Sequence, residues 1–227
     1  MCARAWACAL INAIALSAGH AVAAEQCASR TRAVEADQRQ IKEFFVSSKR
    51  KVVTFLGYSG AEYQDPAAMI EQAGAVLKKF DPRQTTVNIG ATAAGIGAVY
   101  ELAKRMGFET AGIVSSQARE QQVPLSACVD HVFYVKDASW GGYVPGTTTL
   151  SPTSKAMVIS SDVLVAIGGG DVARDELLVA RLLKKPVTFI PADMNHRLAR
   201  EKAASRKLPE PTDFRGSAQC AIQPDSC

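Results

Sequence analysis

The chain has 227 residues and a formal net charge of +4, from 26 basic and 22 acidic side chains. This balance is too even for a protein that recognises nucleic acid or a membrane surface mainly through charge, so neither partner is predicted. Without the leader described next, roughly 203 residues remain. That length fits one α/β domain with a core large enough to be stable alone.

The first 24 residues have the features of a secretory signal peptide. Arg4 precedes an apolar run from Trp6 to Ala18, and the small residues Ala21–Ala24 follow. The run is shorter than the roughly 20 residues that a transmembrane helix needs. We therefore expect cleavage after Ala24 or one residue earlier, and a periplasmic or secreted protein without a stable membrane anchor. A mis-assigned start codon is the alternative explanation of the leader.

Cleavage would leave four of the six cysteines, namely Cys27, Cys128, Cys220 and Cys227. An even number of cysteines in an exported chain permits disulfides, and three of these four lie in the terminal extensions. We expect a disulfide to fasten the tails, and four cysteines allow three pairings. The chain has no CxxC pair and no Cys/His cluster, so no metal site is predicted.

Residues 25–50 are predicted to form a helical extension that packs on the domain edge through Ile41, Phe44 and Phe45. From residue 51 onwards, apolar runs of strand length alternate with segments of helical periodicity. Strands that are apolar throughout and separated by helices are typical of a parallel sheet covered on both faces. The predicted strands are Lys51–Leu56, Thr85–Ile89, Thr110–Val114, His131–Val135, Val163–Ile167 and Pro186–Ile190.

These elements predict a doubly wound, mostly parallel, Rossmann-like α/β domain with helices on both faces, over residues 51–202. The tail, residues 203–227, is rich in proline, serine and charge and has no periodicity. We expect it to be irregular. Such a domain can also form homo-oligomers.

Three of the predicted strands run into turns that are rich in glycine or small residues. Glycine lets the backbone approach a ligand closely, and the free amides at the start of the following helix attract a phosphate. Ligands of such sheets bind outside the carboxyl ends of the strands. We therefore predict an anion or nucleotide site there, and glycines that serve only close packing are the alternative. The predicted ligand-binding residues of these turns are Gly57, Ser59, Gly60, Gly90, Thr92, Gly95, Gly97, Gly168, Gly169 and Gly170.

Two familiar phosphate motifs are absent. Gly90 and Gly95 have the spacing of a P-loop, but Ile96 and Gly97 stand where that motif has its lysine and its Ser/Thr. The first turn lacks the G-x-G-x-x-G pattern with an acidic residue about 20 positions further on. An ordinary kinase, ATPase or NAD dehydrogenase is therefore disfavoured, and no cofactor is predicted.

The stretches Asn88–Ser115 and Ser161–Val187 resemble a known group of proteins, the Rossmannoid SLOG superfamily. It includes the LONELY GUY cytokinin-activating phosphoribohydrolases, the "possible lysine decarboxylase" proteins and the DNA-uptake protein Smf. The resemblance covers about residues 51–194. Its most specific part is the third glycine-rich turn, Gly168–Glu176, which is similar to the family motif P-G-G-x-G-T-x-x-E. In the hydrolases this motif binds the nucleotide phosphate, and its glutamate assists cleavage of the N-glycosidic bond.

Placed on this motif, Gly169, Gly170 and Glu176 match, and Gly168 takes the position of the proline. The resemblance thus implies Glu176 as the catalytic residue. The chain departs from the motif at Val172 and Ala173, which replace its second-turn glycine and its threonine. The phosphate-facing hydroxyl of the hydrolases is therefore missing.

A second departure concerns the arginine of the hydrolases. Thr153 stands at its position, and Lys155 lies two residues further on. Arg174, close to the glutamate on the same predicted helix, is a candidate source of positive charge. Arg119, in the loop after the Thr110–Val114 strand, is a second candidate for phosphate binding.

The long segment between residues 137 and 152 carries Trp140 and Tyr143, which are candidates for stacking on a base or sugar ring. A loop of this length inside a compact domain is usually functional or mobile. Together the patterns predict an exported protein that binds a phosphorylated or nucleotide-like small molecule. The alternative is a divergent hydrolase that cleaves the N-glycosidic bond of a nucleotide derivative.

Overall fold

The computed structural model describes Cys27, residues 31–223 and Asp225. The predicted signal peptide and Cys227 lie outside the described residues. The strands are β1 (Arg32–Glu35), β2 (Lys51–Gly57), β3 (Thr85–Ile89), β4 (Glu109–Ser115), β5 (His131–Val135), β6 (Val163–Ile167) and β7 (Val187–Ile190). The helices are α1 (Gln38–Ser48), α2 (Pro66–Leu77), α3 (Ala98–Arg105), α4 (Gln117–Glu120), α5 (Pro152–Ser160), α6 (Asp171–Leu182), α7 (His196–Ser205) and α8 (Ser217–Ile222), and a 3₁₀ turn, Gly95–Gly97, precedes α3.

The strands form one seven-stranded sheet in the order β1-β5-β4-β3-β2-β6-β7. Every neighbouring pair is parallel. The chain winds outwards from β2 through β3, β4 and β5, then crosses to the other side of β2 to form β6 and β7. The predicted doubly wound α/β fold is confirmed, and its topological switch point lies between β2 and β6.

Both faces of the sheet are covered, as the apolar strands require. Along β2, Val53 and Phe55 pack with α2 and α3 in one buried cluster. Val52 and Leu56, on the other face, pack with α1, α5, α6 and α8 in a second cluster. Alternate residues of a strand point to opposite faces of the sheet. When both faces are buried, the strand is therefore apolar at nearly every position.

The segment before β2 contains a strand as well as the predicted helix. Helix α1 buries Ile41 and Phe45. Strand β1 pairs with β5 at the edge of the sheet, and all four of its residues are exposed. A two-sided exposed strand carries no apolar alternation, which is why the sequence pattern did not predict it.

A disulfide bond fastens the N-terminal end of the described chain. Cys27 and Cys128 form a disulfide, which ties the segment before β1 to the loop before β5. Cys220, in α8, is also disulfide-bonded.

The last part of the chain returns to the sheet instead of leaving it. Helix α8 packs on α6 and buries Ala218 and Ile222. The guanidinium of Arg181 donates hydrogen bonds to the carbonyl of Ile222, at 3.4 Å. None of the described helices is long and apolar enough to cross a membrane.

Candidate functional site

A cavity of about 720 Å³ opens at the carboxyl ends of β3, β2 and β6, beside the switch point. Small-molecule sites typically have volumes of about 300–1,000 Å³, and in open α/β sheets they lie at this place. The wall is mostly apolar. The lining includes seven of the residues predicted from the sequence, namely Gly57, Ser59, Gly60, Gly90, Thr92, Gly170 and Glu176.

Three of the lining glycines have open space where a side chain would be. A Cβ built on Gly60 or Gly170 would meet no atom within 4 Å, and one on Gly90 would only reach the carbonyl of Ile113, at 4.0 Å. None of these three residues has a positive φ. The fold does not require glycine at these positions, and their bare backbone faces the cavity.

The other glycines of the first two turns are packed tightly. A Cβ on Gly95, which has φ of +58°, would lie 2.5 Å from the carbonyl oxygen of Ser59. A Cβ on Gly97 would overlap the carbonyl oxygen of Thr92, and one on Gly57 would overlap the Tyr63 hydroxyl. Gly95 and Gly97 do not appear in the cavity wall. They allow the second turn to pack on the first.

Gly168 and Gly169 are packed in the same way. Gly168 has φ of +58°, and its Cβ would lie 2.5 Å from the Tyr58 ring. Gly169 has φ of +131°, and its Cβ would lie 2.6 Å from the Cβ of Ala173. Neither residue lines the cavity, so the structure separates them from Gly170.

The C-terminal segment explains why Gly169 is enclosed. The amide of Ala218 donates to the carbonyl of Gly169 at 3.1 Å, and a Cβ on Gly216 would overlap that same carbonyl. The Tyr58 hydroxyl accepts a hydrogen bond from the Gly216 amide at 2.7 Å and donates to the Ala192 carbonyl at 3.1 Å. The third turn is thus held between the first turn and the tail.

The N-terminus of α6 is the main polar feature of the cavity. Its N-cap is Gly170, and no side chain caps its first turn. Asp171, Val172 and Ala173 follow in the cavity wall. Uncapped amides at a helix start, together with the helix dipole, favour a bound anion.

Glu176 lies one turn further along α6 and is 3% exposed. The Ser154 hydroxyl donates to its Oε1 at 2.6 Å. Burial, together with the nearby Asp175 carboxylate, raises the pKa of Glu176 to about 8 against the lowering effect of Ser154. At neutral pH the side chain is therefore mostly protonated, and a neutral carboxylic acid faces the cavity.

Helix α5 brings Thr153 to the same wall, but its N-terminus is already occupied. The Asp137 carboxylate accepts the Thr153 amide at 2.8 Å and the Ser139 amide at 2.8 Å. Burial raises the pKa of Asp137, but these hydrogen bonds outweigh it and leave the pKa below its ordinary value. The Thr153 hydroxyl is buried beside the same carboxylate and helps to lower the pKa of Asp137.

The loop that carries Trp140 is tied to α5 and α6. The Gly142 amide donates to the Ser154 hydroxyl at 2.7 Å, and the Tyr143 amide donates to the Asp175 carboxylate at 2.8 Å. Trp140 lines the cavity with 47% of its surface exposed, whereas Tyr143 does not line it. The loop therefore places one aromatic ring at the mouth.

The two predicted arginines lie elsewhere. Arg119 pairs with Glu35 at 2.6 Å and stacks on the ring of Tyr134, at the β1 edge of the sheet. Arg174 pairs with Asp171 and Asp175, both at 2.8 Å. Neither guanidinium lines the cavity. Both charges are neutralised by neighbouring carboxylates.

Lys155, the other candidate for the missing arginine, lines a different cavity of about 780 Å³ beside β1 and β5. The basic residue that does line the 720 Å³ cavity at the switch point, called the switch-point cavity below, is Lys202 on α7 among the described residues. Sequence reasoning missed it because α7 carries several basic residues and nothing in their spacing marks one of them. Among the described residues no group of three or more His, Cys, Asp or Glu side chains could hold a metal ion.

No protein-family model and no curated protein matches the chain. A solved structure with a similar fold is the molybdenum cofactor carrier protein of Chlamydomonas reinhardtii, with 20% identity over 62% of this chain and 76% of that chain and a TM-score of 0.45. Another structure of that carrier has 18% identity over 70% and 85% of the two chains and a TM-score of 0.45. A structural-genomics target, TM1055, has 21% identity over 60% and 72% and a TM-score of 0.44. No site residue is assigned from these similarities.

Proposed function

We propose that this chain is an exported protein that binds a phosphorylated, nucleotide-like small molecule in the switch-point cavity. The observation that carries the proposal is the uncapped start of α6 in the cavity wall, next to the open backbone of Gly60, Gly90 and Gly170. The amides would hold the phosphate, and the apolar wall with Trp140 would hold a ring. The resemblance of the third turn to the SLOG superfamily motif supports the same use of the turn.

The binding proposal is tested by calorimetric titration of the full chain with adenosine monophosphate, adenosine and inorganic phosphate. We expect the monophosphate to bind more tightly than adenosine, because only the monophosphate uses the α6 amides. Gly60→Leu should weaken this binding at least about tenfold by filling the cavity, and Gly60→Ala is the matched control with a small side chain. Equal affinities for adenosine and its monophosphate, or a Gly60→Leu variant that binds normally, would contradict the proposal.

Glu176 favours a second candidate function, cleavage of an N-glycosidic bond. A carboxylic acid with its pKa near 8 is protonated at neutral pH, as a general acid requires. Glu176→Gln keeps the shape and the hydrogen bond to Ser154 but has no proton to transfer. If the chain is a hydrolase, release of the base from a nucleoside monophosphate should fall about 10²-fold or more in this variant, while binding persists. If the parent protein releases no base, binding alone is the function.

Export is the remaining part of the proposal. The leader predicts that protein recovered from its native host begins at Ala24 or Glu25, which intact mass determines. A cell-associated form that retains Met1 would contradict it.

A further inference from the structure

Lys202 has a special place in the cavity wall. Among the described lining residues it is the one lysine or arginine. Thr153 stands where the resembling hydrolases have an arginine, and neither Arg119 nor Arg174 lines the cavity. Lys202, an exposed residue of α7, is therefore the basic residue of the described lining.

Lys202 forms no ion pair with a carboxylate of the described residues, whereas Arg197 and Arg200 on the same helix do. Arg197 contacts Glu201 at 2.7 Å, and Arg200 contacts Glu210 at 2.9 Å. An exposed lysine that lines an apolar cavity and has no carboxylate partner among the described residues is suited to a ligand anion.

Helix α7 is held in place at its start by the turn after β2. The His196 amide donates to Oε1 of Gln64 at 2.9 Å, and the Gln64 amide donates to the Asp193 carbonyl at 3.1 Å. The Asn195 side chain caps the helix by accepting the Leu198 amide at 3.0 Å. These contacts connect α7 to the segment that also carries Gly60.

The tail supports α7 from the other side. The ring of Phe214 stacks on His196, with centroids 3.9 Å apart, and the Arg200 guanidinium lies 5.0 Å from the centre of the same ring. The Met194 amide donates to the Phe214 carbonyl at 2.9 Å. The C-terminal segment therefore positions α7 as well as enclosing Gly169.

We propose that Lys202 binds the anionic group of the ligand together with the α6 amides, so that the C-terminal part of the chain is a component of the binding site. This inference rests on the proposed function. The negative residue of the lining at that end, Asp171, is already paired with Arg174 and accepts the Ser217 hydroxyl at 2.7 Å. A single lysine in the described lining fits one compact phosphate ester better than a polyphosphate, which carries several charges.

Lys202→Met tests the proposal, with Lys207→Met as the matched control because both lysines are exposed and only Lys202 lines the cavity. Adenosine monophosphate and inorganic phosphate are titrated into the parent and both variants at low and high salt. We expect Lys202→Met to lose about tenfold in affinity for adenosine monophosphate and to show a weaker salt dependence. Affinity for adenosine should stay unchanged in both variants, and Lys202→Arg should retain most of the binding.

Each outcome decides between the two proposals. If the parent binds the monophosphate and Lys202→Met binds it equally well, the role of Lys202 is wrong and the proposed function stands. If the parent binds neither the monophosphate nor phosphate, both proposals are wrong. A loss of affinity that also affects adenosine, or that Lys207→Met shares, would show a general disturbance of α7 and would overturn the assignment.

Discussion

Two glycine-rich turns enter helices, one after β3 and one after β6, and their glycines differ in how closely other atoms pack against them. The turn after β3 is open at Gly90 but closed where it enters its helix, because Gly95 and Gly97 lie against the carbonyl oxygens of Ser59 and Thr92. The turn after β6 is closed at Gly169 and open at Gly170. A glycine-rich turn thus contains both glycines that the packing needs and glycines that leave backbone accessible, and only the second kind can bind a ligand.

The largest expected effect separates two adjacent residues. Gly169→Val adds a branched side chain where φ is +131° and where Cβ would lie 2.6 Å from the Cβ of Ala173. Strain and overpacking together should lower the free energy of unfolding by about 4 kcal/mol. Gly170→Val has open space and should lower it by only about 1 kcal/mol through the poorer N-cap. Urea unfolding measures both, and equal losses would show that the two environments do not differ as described.

A second prediction concerns pH. Burial holds the pKa of Glu176 at about 8, above about 4.3 in the unfolded chain, so between these values the folded protein keeps a proton that the unfolded chain has lost. The proton on Glu176 therefore contributes to the free energy of unfolding. This contribution is fully present below about pH 4.3 and is lost as the pH rises through about 8. A glutamine amide would mimic the protonated acid, so Glu176→Gln should be more stable than the parent by about 3 kcal/mol at pH 7. Unfolding curves at several pH values between about 5 and 8 measure the difference, and parallel pH profiles would contradict the raised pKa.

The open end of the third turn can be tested without loss of stability. In Gly170→Asp, a carboxylate at the N-cap would accept the α6 amides itself, which should change the free energy of unfolding by only about a few tenths of a kcal/mol. The same carboxylate would occupy and repel the anion site. We expect affinity for adenosine monophosphate to fall about 100-fold, as measured by calorimetry. Gly170→Asn caps without charge and should show a smaller loss; normal binding by the aspartate variant would exclude α6 as the anion site.

The smallest effect is expected at Thr153. Its hydroxyl is buried beside the Asp137 carboxylate, so Thr153→Val should lower the free energy of unfolding by about 1 kcal/mol. If the hydroxyl also contacts a ligand in the cavity, the variant should bind that ligand a few-fold more weakly. Thr153→Ser, which retains the hydroxyl, is the control for this titration. An unchanged affinity in Thr153→Val would remove the hydroxyl from the site.

The sequence predicts the fold well because buried parallel strands are apolar throughout and the intervening helices have clear periodicity. It misses β1, whose residues are all exposed, since an edge strand held by backbone pairing leaves no apolar pattern. It also treats the tail as irregular, although α8 packs on α6. A helix of six residues is too short for periodicity to reveal.

The candidate site is predictable only in part. Strand-end position predicts that Gly60, Gly90 and Glu176 lie close together, and all three line one cavity, because the carboxyl ends of parallel strands share an edge. Sequence alone cannot separate Gly169 from Gly170, since the difference depends on Ala173 and on the returning tail. It also cannot show that Arg119 pairs with Glu35, or that Lys202 is among the residues that line the cavity. These are long-range contacts without a local signal.

Hydrogen–deuterium exchange with and without adenosine monophosphate is the most direct test of whether the anion binds at the start of α6, because it compares the two turns in one sample. We expect slower exchange at the amides of residues 171–173, which lack a side-chain cap, when the monophosphate is added. Exchange at residues 95–97 should stay unchanged, since the Ile96 amide already donates to the Tyr58 carbonyl at 2.7 Å. Protection at residues 95–97 with none at residues 171–173, or no protection at either turn, would contradict an anion site at the start of α6.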